Sequence, residues 1–510
     1  MKQEMMEEKN IVAIDLGTSK IALTVAKVDR DDVQIIYYKE TPSAGIKYSS
    51  VFNIMHVTEP LERLIRDAEE SLDVKITQAI VGMPKYPVRQ ESNSGIIKDR
   101  GEDADITAED IAELKRYAED SYPLEDPSKD AIYGAVAQSF SDGENFQIIE
   151  NDIIGMVSDV LEGHFKIFIG KKSDLNKIDK VMKKTDISVS KKYFTAETTA
   201  KAVLTEAEME NGVALIDFGG GSTSLTIYHG SIMRHYASIP FGGRNITDDI
   251  RKECQISERL AENIKLAFGA CMPEKLQSLS EKILHIRSNN AEPDKQVTVK
   301  YLSEIITARI EEIMMAMLYE INESGFGDML RSGIVITGGC AQTANLGNFI
   351  YEMSGYRVRT GYPHGNFSST CCDGTKDTTA ATSIGLIMAA KEDMCVVSCT
   401  TLEQGFPTSG ITVEESKEMP ETIIEIPEFP VIPDMPEIPE SEVQEDQENQ
   451  EENAMPEQTC EPQVEDRKDE VRQKEEKGFF KVFWRKAKKV TENTKEKTGD
   501  WIDKLIEEEV

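Results

Sequence analysis

The chain has 510 residues, and its 58 Lys and Arg side chains against 92 Asp and Glu side chains give a formal net charge of -34. At about 100–200 residues per domain, this length predicts two to four domains, each large enough to bury a core. The acidic balance leaves no extended basic surface that could displace counterions from phosphates, so it excludes a general nucleic-acid binder.

Residues 10–400 show the pattern of a mixed α/β protein. Short apolar runs predict strands at 11–16, 21–28, 79–83, 213–218, 224–228 and 334–337. Apolar residues at helical spacing predict helices at 59–72, 108–117, 246–252 and 302–321. The pairs Gly242-Gly243 and Gly338-Gly339 mark turns between these elements.

The sequence carries no recognisable export signal. Residues 1–10 have no apolar core like that of a secretory signal, and no run reaches the about 18–20 apolar residues of a membrane-spanning helix. The eight cysteines form no CxxC pair, and the six histidines show no metal-ligand spacing. We therefore expect a cytosolic protein without disulfides and without a metal ion caged by protein ligands.

One pattern occurs twice in the body of the chain. Residues 11–25 and 214–227 both contain an apolar strand, an aspartate, an apolar residue, a glycine, a turn of small residues and a second apolar strand. The two aspartates, Asp15 and Asp217, are 202 residues apart, which is about the length of a domain. The repeat predicts a duplicated fold with two equivalent β-hairpins.

The turns of both hairpins are rich in small residues. Such residues let backbone N–H groups approach phosphate oxygens, and an aspartate at the end of a strand suits a hydrated Mg²⁺ ion. One such turn is usually only a turn, but two in register predict a nucleotide gripped between two similar domains. The predicted phosphate-binding residues are Gly17, Thr18, Ser19, Lys20, Gly219, Gly220, Gly221, Ser222 and Thr223, and the predicted metal-binding residues are Asp15 and Asp217.

Two further features support the same predicted site. The strand at 334–337 ends at Gly338-Gly339, a turn that lets a flat ligand pack against the backbone. Glu262 and Lys265 lie three residues apart on one face of a predicted helix, from which they could reach ribose hydroxyls or a base edge. Taken alone, such a pair is more often a solvated surface pair.

These motifs resemble those of the actin/Hsp70/sugar-kinase superfamily. The resemblance consists of a phosphate-1 hairpin at 15–20, a phosphate-2 hairpin at 217–223 and an adenosine motif at Gly338-Gly339. Residues 195–200 and 380–385 fall where the two connecting helices of that superfamily are expected.

Within the superfamily, the sequence is similar to the bacterial cell-division FtsA family. The segments that carry this similarity correspond to its inserted subdomain 1C and to its second half. Gly82-Met83-Pro84-Lys85 departs from the family because it lacks the Ser-Gly and His often found at this strand end. The similar segments are 78–83, 93–95 and 163–170 for the region of subdomain 1C, and 236–243 and 261–265 for the second half.

The resemblance implies an α/β, actin-like, duplicated two-domain fold with an inserted subdomain 1C. The implied boundaries follow the order of that fold along the chain. They are an N-terminal tail at 1–10, subdomain 1A at 11–84 and 170–206, subdomain 1C at 85–169, subdomain 2A at 207–260, subdomain 2B at 261–330, and the second part of 2A with the return to 1A at 331–400.

The composition changes after this body. Residues 411–476 carry 23 acidic and 5 basic side chains, with prolines at every third position from Pro427 to Pro439. These residues have too little apolar surface to offset the ordering of the backbone, so we expect a disordered acidic linker. The proline repeat favours an extended polyproline II segment within it, most simply as a stiff spacer.

Residues 477–510 predict an amphipathic, membrane-targeting tail, as in the FtsA family. Residues 477–490 carry 6 basic and no acidic side chains, and apolar residues recur among them at helical spacing. Such a helix lies in the membrane interface with its cations near anionic headgroups, and the alternative is a helix that packs back on the body. A second apolar patch at 501–506 is acidic and is the poorer candidate. The predicted membrane residues are Phe479, Phe480, Lys481, Phe483, Trp484, Arg485 and Lys488.

The resemblance implies a cell-division protein that binds ATP and Mg²⁺, assembles into filaments and holds the tubulin-like protein FtsZ through its second domain. It also implies other divisome partners on subdomain 1C, and a peripheral position on the cytoplasmic side of the inner membrane at the division site. ATP hydrolysis is left open, with Glu197 as the candidate to orient an attacking water.

Three other functions share the hairpins. They are a sugar-kinase-class phosphotransferase, an Hsp70-like chaperone ATPase, and a related actin-like assembly protein of pili or cell shape. A phosphotransferase needs a catalytic aspartate in the cleft, and a chaperone needs a β-rich domain where the acidic linker lies. The basic aromatic tip favours the FtsA family over the pilus and cell-shape proteins.

Overall fold

The computed structural model of the chain describes residues 9–29, 32–98, 104–286, 295–365, 367–369, 374–393 and 396–402. The first eight residues, the predicted acidic linker at 411–476 and the predicted amphipathic tail at 477–510 lie outside these ranges. Within them, no helix combines the length and the apolar character that crossing a membrane requires.

The first half of the body begins with an antiparallel meander. Its strand β1 is buried on both faces because alternate residues enter two cores, Ile11 on one side and Val12 on the other. The elements of this part are β1 (Lys9–Leu16), β2 (Lys20–Val28), β3 (Val33–Pro42), β4 (Ile46–Lys47), β5 (Ser50–Val51), α1 (Ile54–Leu72), β6 (Val74–Ile76) and β7 (Gln78–Gly82).

A small separate sheet is inserted after β7. Its elements are β8 (Val88–Ile97), α2 (Ala108–Ser121), β9 (Asp130–Ser141), α3 (Glu150–Ile153) and β10 (Leu161–Lys171). Strand β10 lies between β8 and β9 and is antiparallel to both. Helix α2 begins at a capping box formed by Thr107 and Asp110, and its Leu114 packs with Phe165 in a core that belongs to this insertion.

The chain then completes the first half and builds the second. The first half gains α4 (Lys172–Lys184), β11 (Ser188–Tyr193) and α5 (Thr195–Val203). The second half contains α6 (Glu206–Asn211), β12 (Val213–Phe218), β13 (Thr223–His229), β14 (Ile232–Ile239), α7 (Gly243–Cys254), α8 (Glu258–Phe268), β15 (Ile283–Ile286), β16 (Lys295–Thr298), α9 (Val299–Glu323), β17 (Ile334–Thr337), α10 (Leu346–Ser354) and β18 (Val358–Thr360).

The last elements return to the first half. They are β19 (Phe367–Ser369), α11 (Ala381–Glu392) and β20 (Thr400–Leu402). Strand β19 pairs with β3, and β20 pairs with β6, so the end of the described chain is part of the first half.

The two main sheets share an arrangement of five strands, and the first sheet adds a sixth, β19, which runs parallel to β3. Their orders are β11-β7-β1-β2-β3-β19 and β14-β13-β12-β17-β18. In each sheet, three antiparallel strands are continued by two parallel ones. Asp15 pairs with Ala22 and Asp217 pairs with Ser224, so each aspartate faces a residue seven positions further along its own hairpin. The predicted duplication is therefore confirmed down to the register of the hairpins.

Helices α5 and α11 pack closely at the centre of the body. A Cβ atom added to Gly385 of α11 would lie 2.0 Å from the carbonyl oxygen of Thr198 on α5. The hydroxyls of Thr199 and Thr382 are 3.1 Å apart in the same buried contact. The two helices therefore touch through their backbones, and this contact leaves no room for a side chain at residue 385.

We predict that Gly385→Ala destabilises the protein by about 1–3 kcal/mol, because the added methyl group meets helix backbone that cannot move aside. Gly347→Ala is the matched control: Gly347 also lies in a helix, but its added Cβ would be an ordinary 3.8 Å from Val358 Cγ1. We expect the control to be neutral or slightly stabilising, since alanine is the better helix former. Urea unfolding of both variants measures the difference, and a Gly385→Ala protein as stable as the wild type would contradict the packing argument.

Candidate functional site

A cavity of about 350 Å³ lies between the two hairpins, in the size range of small-molecule sites. It is lined by residues of both halves, and most of the residues predicted from the sequence are among them. Those that line it are Asp15, Gly17, Thr18, Ser19, Lys20, Asp217, Gly219, Gly220, Ser222, Glu262, Lys265, Gly338 and Gly339. Gly221, Thr223 and Glu197 do not line this cavity.

The turns of the two hairpins are in direct contact. A Cβ atom added to Gly220 would lie 1.9 Å from Ser19 Oγ, and one added to Gly221 would lie 2.6 Å from Thr18 Cγ2. A side chain at either position would have to displace Ser19 or Thr18, so glycine lets the two turns approach this closely. Gly221 thus packs against Thr18 next to the cavity, and its phosphate contact stays a prediction.

A third turn joins the contact between the hairpins. Ser49 lies in the two-residue turn between β4 and β5, where Tyr48 and Ser49 both have positive φ, as such turns require. The Ser49 hydroxyl lies 2.8 Å from the Ser222 hydroxyl, and the Ser49 N–H donates to Thr18 Oγ1 at 2.9 Å. No sequence pattern marks Ser49 as a site residue, because the strands on either side of it are only two residues long.

Thr223, another predicted phosphate-binding residue, is fully buried. Its hydroxyl donates to the carbonyl oxygen of Phe241 at 2.8 Å. The N–H of Gly243 donates to the carbonyl oxygen of Gly219 at 3.0 Å. These bonds fix the second hairpin to the start of α7, so the Thr223 hydroxyl serves packing.

Gly338 lies close to the metal-binding candidate of the second half. Its φ is +86°, and an added Cβ would lie 2.6 Å from Asp217 Oδ1. The Thr378 hydroxyl donates to the Gly338 carbonyl oxygen at 2.9 Å and holds the turn in place. Only glycine combines this φ with this close approach.

Carboxylates and ammonium groups alternate around the cavity. Lys85 Nζ bonds to Asp217 Oδ2, and Lys20 Nζ bonds to Glu40 Oε1. Burial raises the pKa of Asp15 above its usual range, and the nearby ammonium groups of Lys85 and Lys20 oppose that shift. The cavity therefore holds several buried charges that depend on one another.

The two aspartates fit a hydrated divalent cation. Both carboxylates line the same cavity, and burial with a like charge nearby disfavours the ionised form of Asp15, which raises its pKa. In the described part of the chain, no group of three His, Cys, Asp or Glu residues could hold a metal ion. Mg²⁺ keeps several waters and takes one or two carboxylates, so Asp15 and Asp217, which line the same cavity, suit a hydrated Mg²⁺ ion.

Glu262 and Lys265 form a pair at another part of the cavity. Lys265 Nζ lies 2.8 Å from Glu262 Oε2 and donates to Thr247 Oγ1 at 2.9 Å and to the Gly243 carbonyl oxygen at 3.1 Å. Three acceptors on α7 and α8 therefore hold the ammonium group, and the half-buried Glu262 carboxylate is left beside the cavity.

Glu197 lies on α5, but it does not reach the cavity. Burial raises the pKa of its carboxyl group, and the charges that influence it most are Lys115 of the insertion and Lys201 of its own helix. Thr195, two residues earlier on the same helix, does line the cavity. This geometry gives no support to the predicted role of Glu197 in orienting a water, because the side chain is not among those that line the cavity.

The sequence reasoning did not identify Lys85 as a site residue. It lies three residues after the end of β7, in the segment that departs from the family pattern, and it lines the cavity. Its position at a strand end beside a candidate phosphate turn is the signal that could have identified it.

Comparison with known proteins places the chain in a family. The family model for the cell division protein FtsA matches residues 214–385. The chain is 30% identical to cell division protein FtsA of Neisseria meningitidis serogroup B over 390 residues, which cover 75% of this chain and 91% of that protein. It is 26% identical to cell division protein FtsA of Bacillus subtilis over 380 residues, which cover 74% of this chain and 83% of that protein.

A solved structure is similar in fold. The structure titled PilM-PilN type IV pilus biogenesis complex superposes with a TM-score of 0.54 at 11% identity, covering 75% of this chain and 99% of that one. At this identity, the likeness concerns the fold alone. The chain has duplicated sheets with an inserted third sheet, and it is 30% identical to the Neisseria relative over 91% of that protein. These findings show that the chain belongs to the FtsA family of cell division proteins and has an actin-like fold.

Proposed function

We propose that this cell-division protein binds ATP with Mg²⁺ in the cavity between its hairpins and uses the bound nucleotide to assemble. One observation carries the proposal. Two turns of small residues from the two halves, each preceded by an aspartate in the same register, face one cavity of about 350 Å³. A ligand with a chain of phosphates is the ligand that two such turns suit.

In this proposal each group of residues has a distinct task. The turns at 17–20 and 219–222 offer small residues and backbone donors to the phosphates. Asp15 and Asp217 hold a hydrated Mg²⁺ ion, which neutralises phosphate charge when bound. Gly338-Gly339 gives the nucleoside a flat backbone surface, and Glu262 accepts hydrogen bonds from ribose hydroxyls.

We propose that the nucleotide acts mainly as an assembly ligand and is hydrolysed slowly or not at all. Among the described residues, the acidic side chains that line the cavity are Asp15, Asp217 and Glu262. The first two are assigned to the metal and the third to the ribose, so none is left to activate a water or a sugar hydroxyl. The same argument disfavours the sugar-kinase alternative, which needs a general base at this point.

We propose further that the protein tethers FtsZ to the cytoplasmic face of the membrane at the division site. Membership of the FtsA family supports FtsZ as the partner of the second domain and other divisome proteins as partners of the inserted sheet. The composition of residues 477–490 supports membrane contact, because their six cations could each contribute about 1 kcal/mol at an anionic surface.

We predict that Asp217→Ala lowers the affinity for ATP with Mg²⁺ at least about tenfold and prevents filament formation at the same concentration. The reason is that the variant removes a metal carboxylate and leaves the Lys85 ammonium without its counter-ion. Asp179→Ala is the matched control, since Asp179 pairs with Lys192 on the exposed surface and does not line the cavity. Isothermal titration calorimetry and sedimentation provide the two measurements, and full ATP affinity in the Asp217 variant would disprove the site assignment.

For the tail, we predict that replacing both Phe483 and Trp484 by Glu abolishes cosedimentation with anionic liposomes, since the inserted face becomes charged. The same double change at Trp501 and Ile502, in the acidic second patch, is the control and should leave binding intact. Wild-type binding should also weaken as salt is raised. Undiminished binding of the Phe483 and Trp484 variant would eliminate the membrane helix.

The tethering role predicts that FtsZ sediments with liposomes only when this protein is present, and more so when ATP is added. The tail variant at Phe483 and Trp484 should remain bound to FtsZ in solution but fail to bring it to the liposomes. Calorimetry of the tail variant with FtsZ, in the absence of liposomes, measures the binding in solution. FtsZ that sediments equally well with the tail variant would contradict the tether.

A further inference from the structure

The cations that line the cavity each have a carboxylate partner, but the partners differ in where they come from. Lys20 pairs with Glu40 of the same half, and Lys265 pairs with Glu262 one turn away on the same helix. Lys85, by contrast, comes from the first half and pairs with Asp217 of the second. Of these three pairs, the Lys85 pair alone joins the two halves across the cavity.

The Lys85 pair is also buried. The side chain of Lys85 is 14% exposed and that of Asp217 is 8% exposed. Lys85 is the strongest of the charges that oppose the raised pKa of Asp15. The Lys85 ammonium group therefore compensates the negative charge of both Asp15 and Asp217. A divalent cation is the natural counter-ion for such a pair of carboxylates.

The backbone of Lys85 is held while its side chain is tethered only at the tip. The Tyr236 hydroxyl donates to the Lys85 carbonyl oxygen at 2.6 Å. The Nζ atom donates to Asp217 and, at 3.2 Å, to Thr382 Oγ1 at the start of α11. A four-carbon side chain on a fixed backbone can exchange the partner of its ammonium group without any movement of the strand.

We propose that Lys85 is the residue that distinguishes a nucleoside triphosphate from a diphosphate in this cavity. A divalent cation held by Asp15 and Asp217 would neutralise the carboxylates that now attract the Lys85 ammonium group and would repel that group, so Lys85 would be free to take another acceptor. Lys85 would then donate to the oxygens of the γ-phosphate, the third phosphate, which a diphosphate lacks. This inference rests on the proposed nucleotide function.

Lys20 is less suited to that task. Its partner Glu40 also accepts a hydrogen bond from Tyr38 and lies 3.4 Å from Thr379 Oγ1. Glu40 is not one of the residues that line the cavity, so a metal ion bound there does not compete for it. Lys20 thus keeps its partner whichever nucleotide is bound, and Lys85 changes its own.

The test compares Lys85→Met with Lys265→Met by calorimetry with ATP and with ADP, both in excess Mg²⁺. In Lys85→Met, we expect ATP affinity to fall about tenfold more than ADP affinity, because a charged hydrogen bond to the γ-phosphate is lost. In Lys265→Met, we expect both affinities to fall by the same factor. Lys85→Arg should restore most of the preference for ATP.

Mg²⁺ binding without nucleotide provides a second readout that a purely structural role would not move. Removal of the competing ammonium group should make Mg²⁺ bind more tightly to Lys85→Met than to the wild type. If Lys85→Met does not fold, as judged by circular dichroism, Lys85→Gln keeps a donor for Asp217 and gives the same comparison.

The outcomes separate the two ideas. A wild-type protein that binds neither nucleotide overturns the proposed function and the inference with it. A wild-type protein that binds ATP, together with a Lys85→Met protein whose ratio of ATP to ADP affinity is unchanged, overturns the role of Lys85 alone.

Discussion

The structure of the cavity depends on one electrostatic constraint: carboxylates from both halves are buried together and need counter-ions. An unpaired buried carboxylate is costly, and breaking a buried pair costs several kcal/mol because the remaining charge is left alone. Here the compensation crosses the boundary between the halves, since Lys85 belongs to the first and Asp217 to the second. The position of one half relative to the other is therefore linked to the charge inside the cavity, and any ligand that changes that charge acts on both halves at once.

Steric constraints reinforce the electrostatic one. The hairpin turns meet through Gly220 and Gly221, where added Cβ atoms would collide with Ser19 and Thr18. Helices α5 and α11 meet through Gly385 in the same way. Contacts of this kind permit only a narrow range of separations, because protein interiors are close-packed and do not deform continuously. The small residues that look like a ligand signature in the sequence thus have a second function, which is to let the two halves approach.

The sequence predicted the repeated parts of this arrangement well and its long-range pairs poorly. The aspartates of the two hairpins were identifiable because both hairpins repeat one local pattern, and the structure gives them the same register. Lys85 and Ser49 were missed because their partners lie 132 and 173 residues away and no local pattern marks such pairs. Helix α1 begins at Ile54, five residues before its predicted start, because the side chain of Asn53 caps it; Pro60, which looks like a helix start in the sequence, lies inside the helix.

The polar bonds that join the halves at the cavity explain how a nucleotide could control assembly. The Ser49 and Ser222 hydroxyls, the Lys85 and Asp217 pair, and a 3.3 Å bond from Arg244 to the Ser43 carbonyl oxygen bridge the halves there. Each such bond contributes only about 0.5–3 kcal/mol net, because it replaces bonds to water. A ligand held by both hairpins would stabilise a closed arrangement, in which the two turns face each other across the cavity, over any arrangement in which they are apart, and such a difference in stabilisation shifts a population. If filament contacts require the closed arrangement, the nucleotide can favour assembly without being hydrolysed.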